Sequence, residues 1–193
     1  MPRALVLFAH PVPESLNAEA YRVAVTTLVE AGWEVDDCDL YAEGFNPVLS
    51  EEERRNYHNT AINTAPVQAY VDRLRAADAL VLCFPVWNFG YPAILKGFFD
   101  RVMLPGVSFA LKDGKLSPCL DNIRKMAAIT TYGATPMMAF LAGNPPRKIF
   151  QRAVRGTFRP EKARYIAQYD MNNITPKGCS AFLDRVRREM ETF

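Results

Sequence analysis

Two stretches of this chain are apolar at every position, Ala4–Ala9 (ALVLFA) and Ala79–Phe84 (ALVLCF). A strand with one wet face alternates apolar and polar residues, so an unbroken run reads as a strand covered on both sides. Such cover belongs to parallel sheets, whose crossover helices lie on the two faces. Trp33–Leu40 reads as a second strand, and its aspartates place it at an edge. Met126–Thr130 and Ala163–Tyr169 read as the fourth and fifth.

Helical patterns fill the intervals. Ser15 is an N-cap, followed by Leu16, Ala20, Val23, Thr27 and Ala31 at three- and four-residue steps, with Gly32 as the stop. Pro66 and Pro92 open two further helices at the favoured first turn. Their apolar stripes are Val67, Tyr70, Val71, Leu74 and Ile94, Leu95, Phe98, Phe99, Val102. Residues 146–157 read as helical, and Thr175–Pro176 open a last helix with Phe182, Leu183, Val186 and Met190 on one face. Strand and helix alternate five times, so the economical fold is an α/β, doubly wound parallel sheet. Such folds bind ligands beyond the carboxyl ends of their strands.

At 193 residues with 49% apolar composition, the chain reads as one domain, 1–193, with Ala42–Ala65 and Gly106–Arg124 as long connections. The net charge of +2 gives no electrostatic reason to expect nucleic acid, and the run Arg185–Arg188 reads as a solvated helix face. No apolar run reaches membrane-spanning length, and the apolar start Ala4–Ala9 is short for a leader, so a cytoplasmic protein not embedded in a membrane is expected. Cys38, Cys83, Cys119 and Cys179 form no C-x-x-C, and with two histidines no metal site is expected. Gly106–Ala110 nearly matches a nucleophile elbow, but it follows Pro105 rather than a strand, which argues against hydrolysis.

Three loops fall at the carboxyl ends of strands. His10-Pro11-Val12-Pro13-Glu14-Ser15-Leu16-Asn17 runs into a helix N-terminus, which favours an anion. It reads equally as a capped helix after a rigid turn, and it is neither a Walker A loop nor a G-x-G-x-x-G fingerprint. Pro85-Val86-Trp87-Asn88-Phe89-Gly90 sets aromatics and an amide beside a glycine, as a planar ligand with polar edges requires. The alternative is an aromatic core plug. Thr130-Thr131-Tyr132-Gly133 offers hydroxyls and a glycine turn, either for a ligand edge or as a plain turn.

These loops and their neighbours resemble the flavodoxin-like NAD(P)H:quinone oxidoreductase family, and Pro85–Phe89 is also similar to the P-x-[YW]-N-F pattern of FMN-dependent azoreductases. AHPVPESLN at 9–17, GWEVDDCDLYAEGFNPVLS at 32–50, FPVWNFGYPAILKGFFDRV at 84–102 and ITTYGA at 129–134 carry the resemblance. It implies a flavodoxin-like five-stranded sheet of order 2-1-3-4-5, a flavin (FAD or FMN), NAD(P)H as cosubstrate and a homodimer. His10, Ser15, Leu16 and Asn17 would hold the phosphate and ribityl portion. Pro85, Val86, Trp87, Asn88 and Phe89 would line the ring, and Thr130, Thr131 and Gly133 its other edge. Phe109 would close the substrate pocket across a dimer interface, and Tyr132 and His10 are polar candidates there.

The implied activity is hydride transfer from NAD(P)H through flavin N5 to a quinone, by a ping-pong route. Reduction of azo compounds or free flavin is the alternative within enzymes, and a flavin-binding regulatory subunit of a membrane transporter is the alternative outside them. The sequence departs from the family after the fourth strand. Met137–Phe140 and Ala142–Pro145 stand where some members carry a tyrosine and a histidine.

Overall fold

The computed structural model of the chain describes residues 1–112 and 115–193. Five parallel strands form the central sheet. They are β1 (Arg3–Phe8), β2 (Glu34–Asp39), β3 (Ala79–Val86), β6 (Lys125–Tyr132) and β7 (Lys162–Gln168), in the order β2-β1-β3-β6-β7. Numbered among the sheet strands alone this is the expected 2-1-3-4-5, with the aspartate-bearing β2 at an edge. The remaining strands, β4 (Phe109–Lys112) and β5 (Lys115–Pro118), pair antiparallel as a separate hairpin within the connection 106–124.

The unbroken apolar runs work as two alternating sets. Leu5, Leu7, Leu80, Leu82 and Phe84 face one core, while Ala4, Val6, Phe8, Val81 and Cys83 face the other. The first core is completed by α3 (Gln68–Ala76), through Val71 and Leu74, and by α4 (Ala93–Val102), through Leu95 and Phe98. The second is completed by α1 (Leu16–Glu30) and α8 (Pro176–Glu191), through Ala20, Ala24, Leu28, Phe182 and Val186. Burying both faces of β1 and β3 forces polar and backbone groups to the strand ends, where the loops are. Register then aligns those ends. Phe8 stands opposite Cys83, Cys83 opposite Ile129, and Thr130 opposite Ala167.

Several elements differ from expectation. Both β3 and β6 run two residues further, pairing Pro85 with Thr131 and Val86 with Tyr132. The helical stretch 146–157 is three pieces, α6 (Pro145–Lys148), a π-helical turn Ile149–Val154 and α7 (Arg155–Phe158). Within the connection 42–65 lies α2 (Glu51–Asn56), held by a capping box between Ser50 and Glu53. Beyond β6 lies α5 (Pro136–Leu141), capped by Thr135. In the last helix Arg185 is no free cation. Its guanidinium donates to the Ala167 carbonyl at 2.5 Å and ties α8 to β7. Among the described residues no helix is long and apolar enough to cross a membrane, and no group of His, Cys, Asp and Glu has the makings of a metal site.

Gly97 shows how tightly α4 is seated. A Cβ there would overlap the carbonyl oxygen, Cα and Cβ of Pro47, which are backbone or ring atoms that do not swing aside. Gly97→Ala is therefore expected to destabilise the protein by about 1–3 kcal/mol, as overpacking does. Thermal melting checks this. An unchanged or raised midpoint would show that the 46–50 segment yields.

Candidate functional site

The first strand-to-helix loop supplies donors. Ser15 Oγ caps α1 by accepting the Ala18 N–H at 3.1 Å, and the Ser15 carbonyl accepts the Glu19 N–H. Among the described residues the N–H groups of Leu16 and Asn17 have no acceptor, so they stand open at the positive end of a fifteen-residue helix. The Asn17 side chain is 2% exposed, yet neither its Nδ2 nor its Oδ1 has a partner. Leaving such a buried group unsatisfied costs about 1–3 kcal/mol.

His10 is held as a neutral ring. The Val12 N–H donates to its Nδ1 at 3.0 Å, and Ser15 Oγ lies 3.2 Å from the same nitrogen. An Nδ1 that accepts carries no proton, which leaves the ring proton on Nε2. Burial pulls the His10 pKa below its ordinary 6.5.

The turn after β3 is a tight reverse turn. Trp87 N–H donates to the Gly90 carbonyl at 3.3 Å and Gly90 N–H to the Trp87 carbonyl at 2.8 Å. Asn88 and Phe89, between them, both take positive φ, 48° and 56°. Asparagine tolerates that region, whereas for phenylalanine it costs roughly 1–2 kcal/mol. The strain buys display: Trp87 is 43% exposed and Phe89 36%, so these rings are a rim and not a core plug. Trp87 stands 5.7 Å from His10 between ring centroids.

The end of β6 is rigid. Thr130 is fully buried with its Oγ1 unpartnered, and Thr131 and Gly133 face the opening. Tyr132 is buried, and burial pushes its pKa up to about 12. Its hydroxyl donates to Asn144 Oδ1 at 2.9 Å and lies 2.5 Å from the Tyr165 hydroxyl. Asn144 Nδ2 donates in turn to the Tyr169 hydroxyl at 3.2 Å, and the Tyr132 and Tyr169 rings lie 4.5 Å apart. This network ties the end of β6 to β7 and to the turn before α6.

Between these loops lies a crevice of two joined cavities, of about 540 and 440 Å³, which share Val86, Asn88, Gly133 and Asn172. The first brings together His10, Ser15, Leu16, Asn17, Pro85, Trp87 and Thr131. Phe89 and Tyr132 line the second. No lysine or arginine lines either cavity. Thr130 stands behind the wall, inside the sheet. Phe109 lies elsewhere in the chain, on a separate cavity with Ser108, Pro118 and Arg159. The sequence reading missed Asp170, Met171, Asn172 and Asn173, which close the crevice from beyond β7. Their signal was available, since they follow the carboxyl end of the fifth strand as the other loops follow theirs.

Residues 2–192 match a family model described as flavodoxin-like fold, Flavodoxin_2. The chain belongs to this family. It is 33% identical over 151 residues to rat NAD(P)H dehydrogenase [quinone] 1, covering 70% of this chain and 55% of that protein. It is 30% identical over 164 residues to human ribosyldihydronicotinamide dehydrogenase [quinone], covering 77% and 71%. The chain thus spans only about half to two thirds of several curated relatives it matches. Among solved structures, Smu.1420 from Streptococcus mutans UA159 superposes with a TM-score of 0.87 at 28% identity, covering 99% of this chain and all of that one. An FMN-dependent NADH-azoreductase from Bacillus anthracis, in complex with FMN, shares the fold at a TM-score of 0.77 and 16% identity, covering 100% and 97%.

Two outcomes follow for this member of the flavodoxin-like family. Phe89→Gly relieves the positive-φ strain, so the ligand-free protein is expected to gain about 1 kcal/mol in a denaturant titration. A loss would show that the ring packs more than it strains. His10 has a lowered folded pKa, so below about pH 6.5 the unfolded chain takes up its proton first and stability falls as pH falls. Replacing His10 with glutamine is expected to flatten stability between pH 6.5 and 5; an unchanged slope would place that loss on other groups.

Proposed function

We propose that this chain is a flavin-dependent NAD(P)H oxidoreductase acting on quinone-type acceptors. The observation that carries the reading is the Asn17 amide, buried, unpartnered at both atoms, and set on the crevice wall beside the open first turn of α1. A neutral cradle of this kind fits the polar tail of a flavin nucleotide, and the aromatic rim fits its planar ring. Once bound, a flavin supplies two-electron chemistry at N5, accepting and returning hydride.

The protein's part is placement and field. Leu16 and Asn17 N–H groups, with Asn17 Nδ2 and Ser15, hold the phosphate end. Trp87 and Phe89 present flat apolar faces that align planar reactants, and alignment is worth several kcal/mol of a transfer barrier (~7–11 at best). Thr131 and Gly133 line the crevice and would meet the edge of a bound flavin where negative charge gathers on reduction, with the Tyr132 tie holding that end of β6 in place. Tyr132 therefore acts as a positioning residue, its own hydroxyl being spent on Asn144 and Tyr165. One crevice serves NAD(P)H and the acceptor in turn, which gives ping-pong kinetics. A homodimer completes this reading. Its contact is the apolar groove of about 440 Å³ between Tyr91, Phe99 and Met103 on one side and Ala153 and Val154 on the other. Phe109 lies on the cavity that continues this groove past Ala153 and Thr157.

The test is to denature the purified protein and identify the released chromophore by absorption and mass, then to follow NADH and NADPH oxidation with menadione. A flavin nucleotide and turnover with either donor are expected. Asn17→Ala should weaken flavin binding about tenfold, the value of one or two hydrogen bonds to a charged or polar group. A yellow protein that oxidises neither donor points to a regulatory flavin module, and no flavin overturns the reading altogether.

A further inference from the structure

Among the described residues the crevice wall carries one formal charge, and it is negative. Asp170 lines the cavity that also holds Phe89 and Tyr132. No other acid, and no lysine or arginine, lines either cavity. The carboxylate is held in place. Asp170 takes a positive φ of 58°, a region that aspartate visits because its short side chain bonds locally. Its N–H donates to the Ala134 carbonyl at 3.0 Å, which ties the turn after β7 to the turn after β6. Asn173 Nδ2 donates to its Oδ1 at 2.8 Å. Among the described residues Asp170 forms no ion pair. Arg185 and Arg147 approach β7 from α8 and α6, but they are engaged elsewhere. Arg185 donates to the Ala167 carbonyl, and Arg147 stands over the Tyr165 ring. One amide donor leaves the negative charge on the wall.

A fixed, partly buried charge sorts ligands by sign, because bringing a like charge beside it costs free energy. The proposed donor passes this test. The reacting ring of NAD(P)H is neutral before transfer and cationic after it, since hydride leaves with both electrons of its bond. The phosphates of NAD(P)H sit on a separate arm of the molecule. A small quinone has no such arm, so a sulfonate or carboxylate on its ring must enter with the ring. We propose that Asp170 selects the acceptor by charge: the crevice uses neutral or cationic quinone-type acceptors and turns away anionic ones. The inference rests on the oxidoreductase reading and narrows its acceptor class. A neutral quinone takes hydride and a proton from solvent and leaves as a neutral hydroquinone. Neither form brings net negative charge to the wall.

The test compares naphthoquinone with its ring-sulfonated derivative, NADH being the donor, in the wild-type protein and in Asp170→Asn. Asparagine tolerates the positive φ, and its Oδ1 can still accept from Asn173. The ratio of the two kcat/KM values cancels any general loss of activity. Removing the charge should raise the relative kcat/KM of the sulfonate about three- to tenfold, the worth of one partly screened charge contact. Raising salt should shrink the wild-type preference for the neutral acceptor. Asn172→Asp sets a second carboxylate on an exposed residue that lines both cavities, and should move the ratio the opposite way. Naphthalene sulfonate accepts no hydride and gives a readout independent of turnover. Calorimetry should show it binding Asp170→Asn more tightly than wild type, by the same factor as the kinetic ratio. A wild-type protein that releases flavin and oxidises NADH, with a ratio and a sulfonate affinity that neither variant moves, overturns this inference alone. A wild-type protein with no flavin or no NADH oxidation overturns the oxidoreductase reading and this inference with it.

Discussion

The parallel register of β1, β3 and β6 is the constraint on which the crevice depends. Each strand is buried on both faces, so each can place polar groups only at its ends. Parallel pairing brings the three carboxyl ends to one edge, Phe8 beside Cys83 and Cys83 beside Ile129. A slip of one residue would exchange the two apolar sets and set Leu5 and Leu7 against the core built for Ala4 and Val6. The large and small residues of the two faces make that slip costly. The loops therefore meet because the cores on both sides of the sheet hold the register.

Within the crevice, recognition is built without a formal cation. An open helix turn, a neutral imidazole and a buried amide provide partial charges already aimed, in surroundings where water screens them poorly. The cost appears in the ligand-free protein as the unsatisfied Asn17 amide and the positive φ of Phe89. Both are local conflicts between sequence and comfortable structure, and both fall at the site. Conflicts of this kind are retained where a bound group resolves them, which is why they mark the crevice more sharply than its volume does. A more apolar space elsewhere, the groove at Tyr91 and Phe99, shows no such conflict among its lining residues.

The central strands were legible because two six-residue runs, apolar throughout and too short for an ordinary buried helix, alternate with amphipathic helical patterns. The loops were legible because chain order placed them after those strands. What escaped notice did so for physical reasons. The Ser50–Glu53 capping box was in plain sight, but α2 buries no residue, so no apolar stripe drew attention to it. The π-helical turn at Ile149–Val154 has no periodicity distinct from an α-helix over so short a span. The role of Tyr132 depended on Asn144, Tyr165 and Tyr169, residues 12 to 37 positions away that only the fold brings together. Asp170 and Asn172 sit after the least apolar sheet strand but one, where the pattern was weakest.

Charge shows most clearly what a chain-wide sum conceals. A net charge of +2 argues against any electrostatic partner if the charges are mixed. Here they are not mixed, because the acid-free stretch 122–160 leaves the rest of the chain net acidic. Attraction to a surface falls off within about 8–10 Å at ordinary ionic strength, so a partner responds to the patch it touches and not to the total. The seven cations in that stretch do not all serve alike. Arg124 is paired with Glu161, and Lys125 donates to the Phe193 carbonyl, so both are spent on the fold. Among the described residues Arg147, Lys148, Arg152, Arg155 and Arg159 form no ion pair, and they follow α5, which turns four apolar side chains outward. Structural demands account for Arg124 and Lys125 and, through its place over the Tyr165 ring, for Arg147, while Lys148, Arg152, Arg155 and Arg159 show no such tie among the described residues.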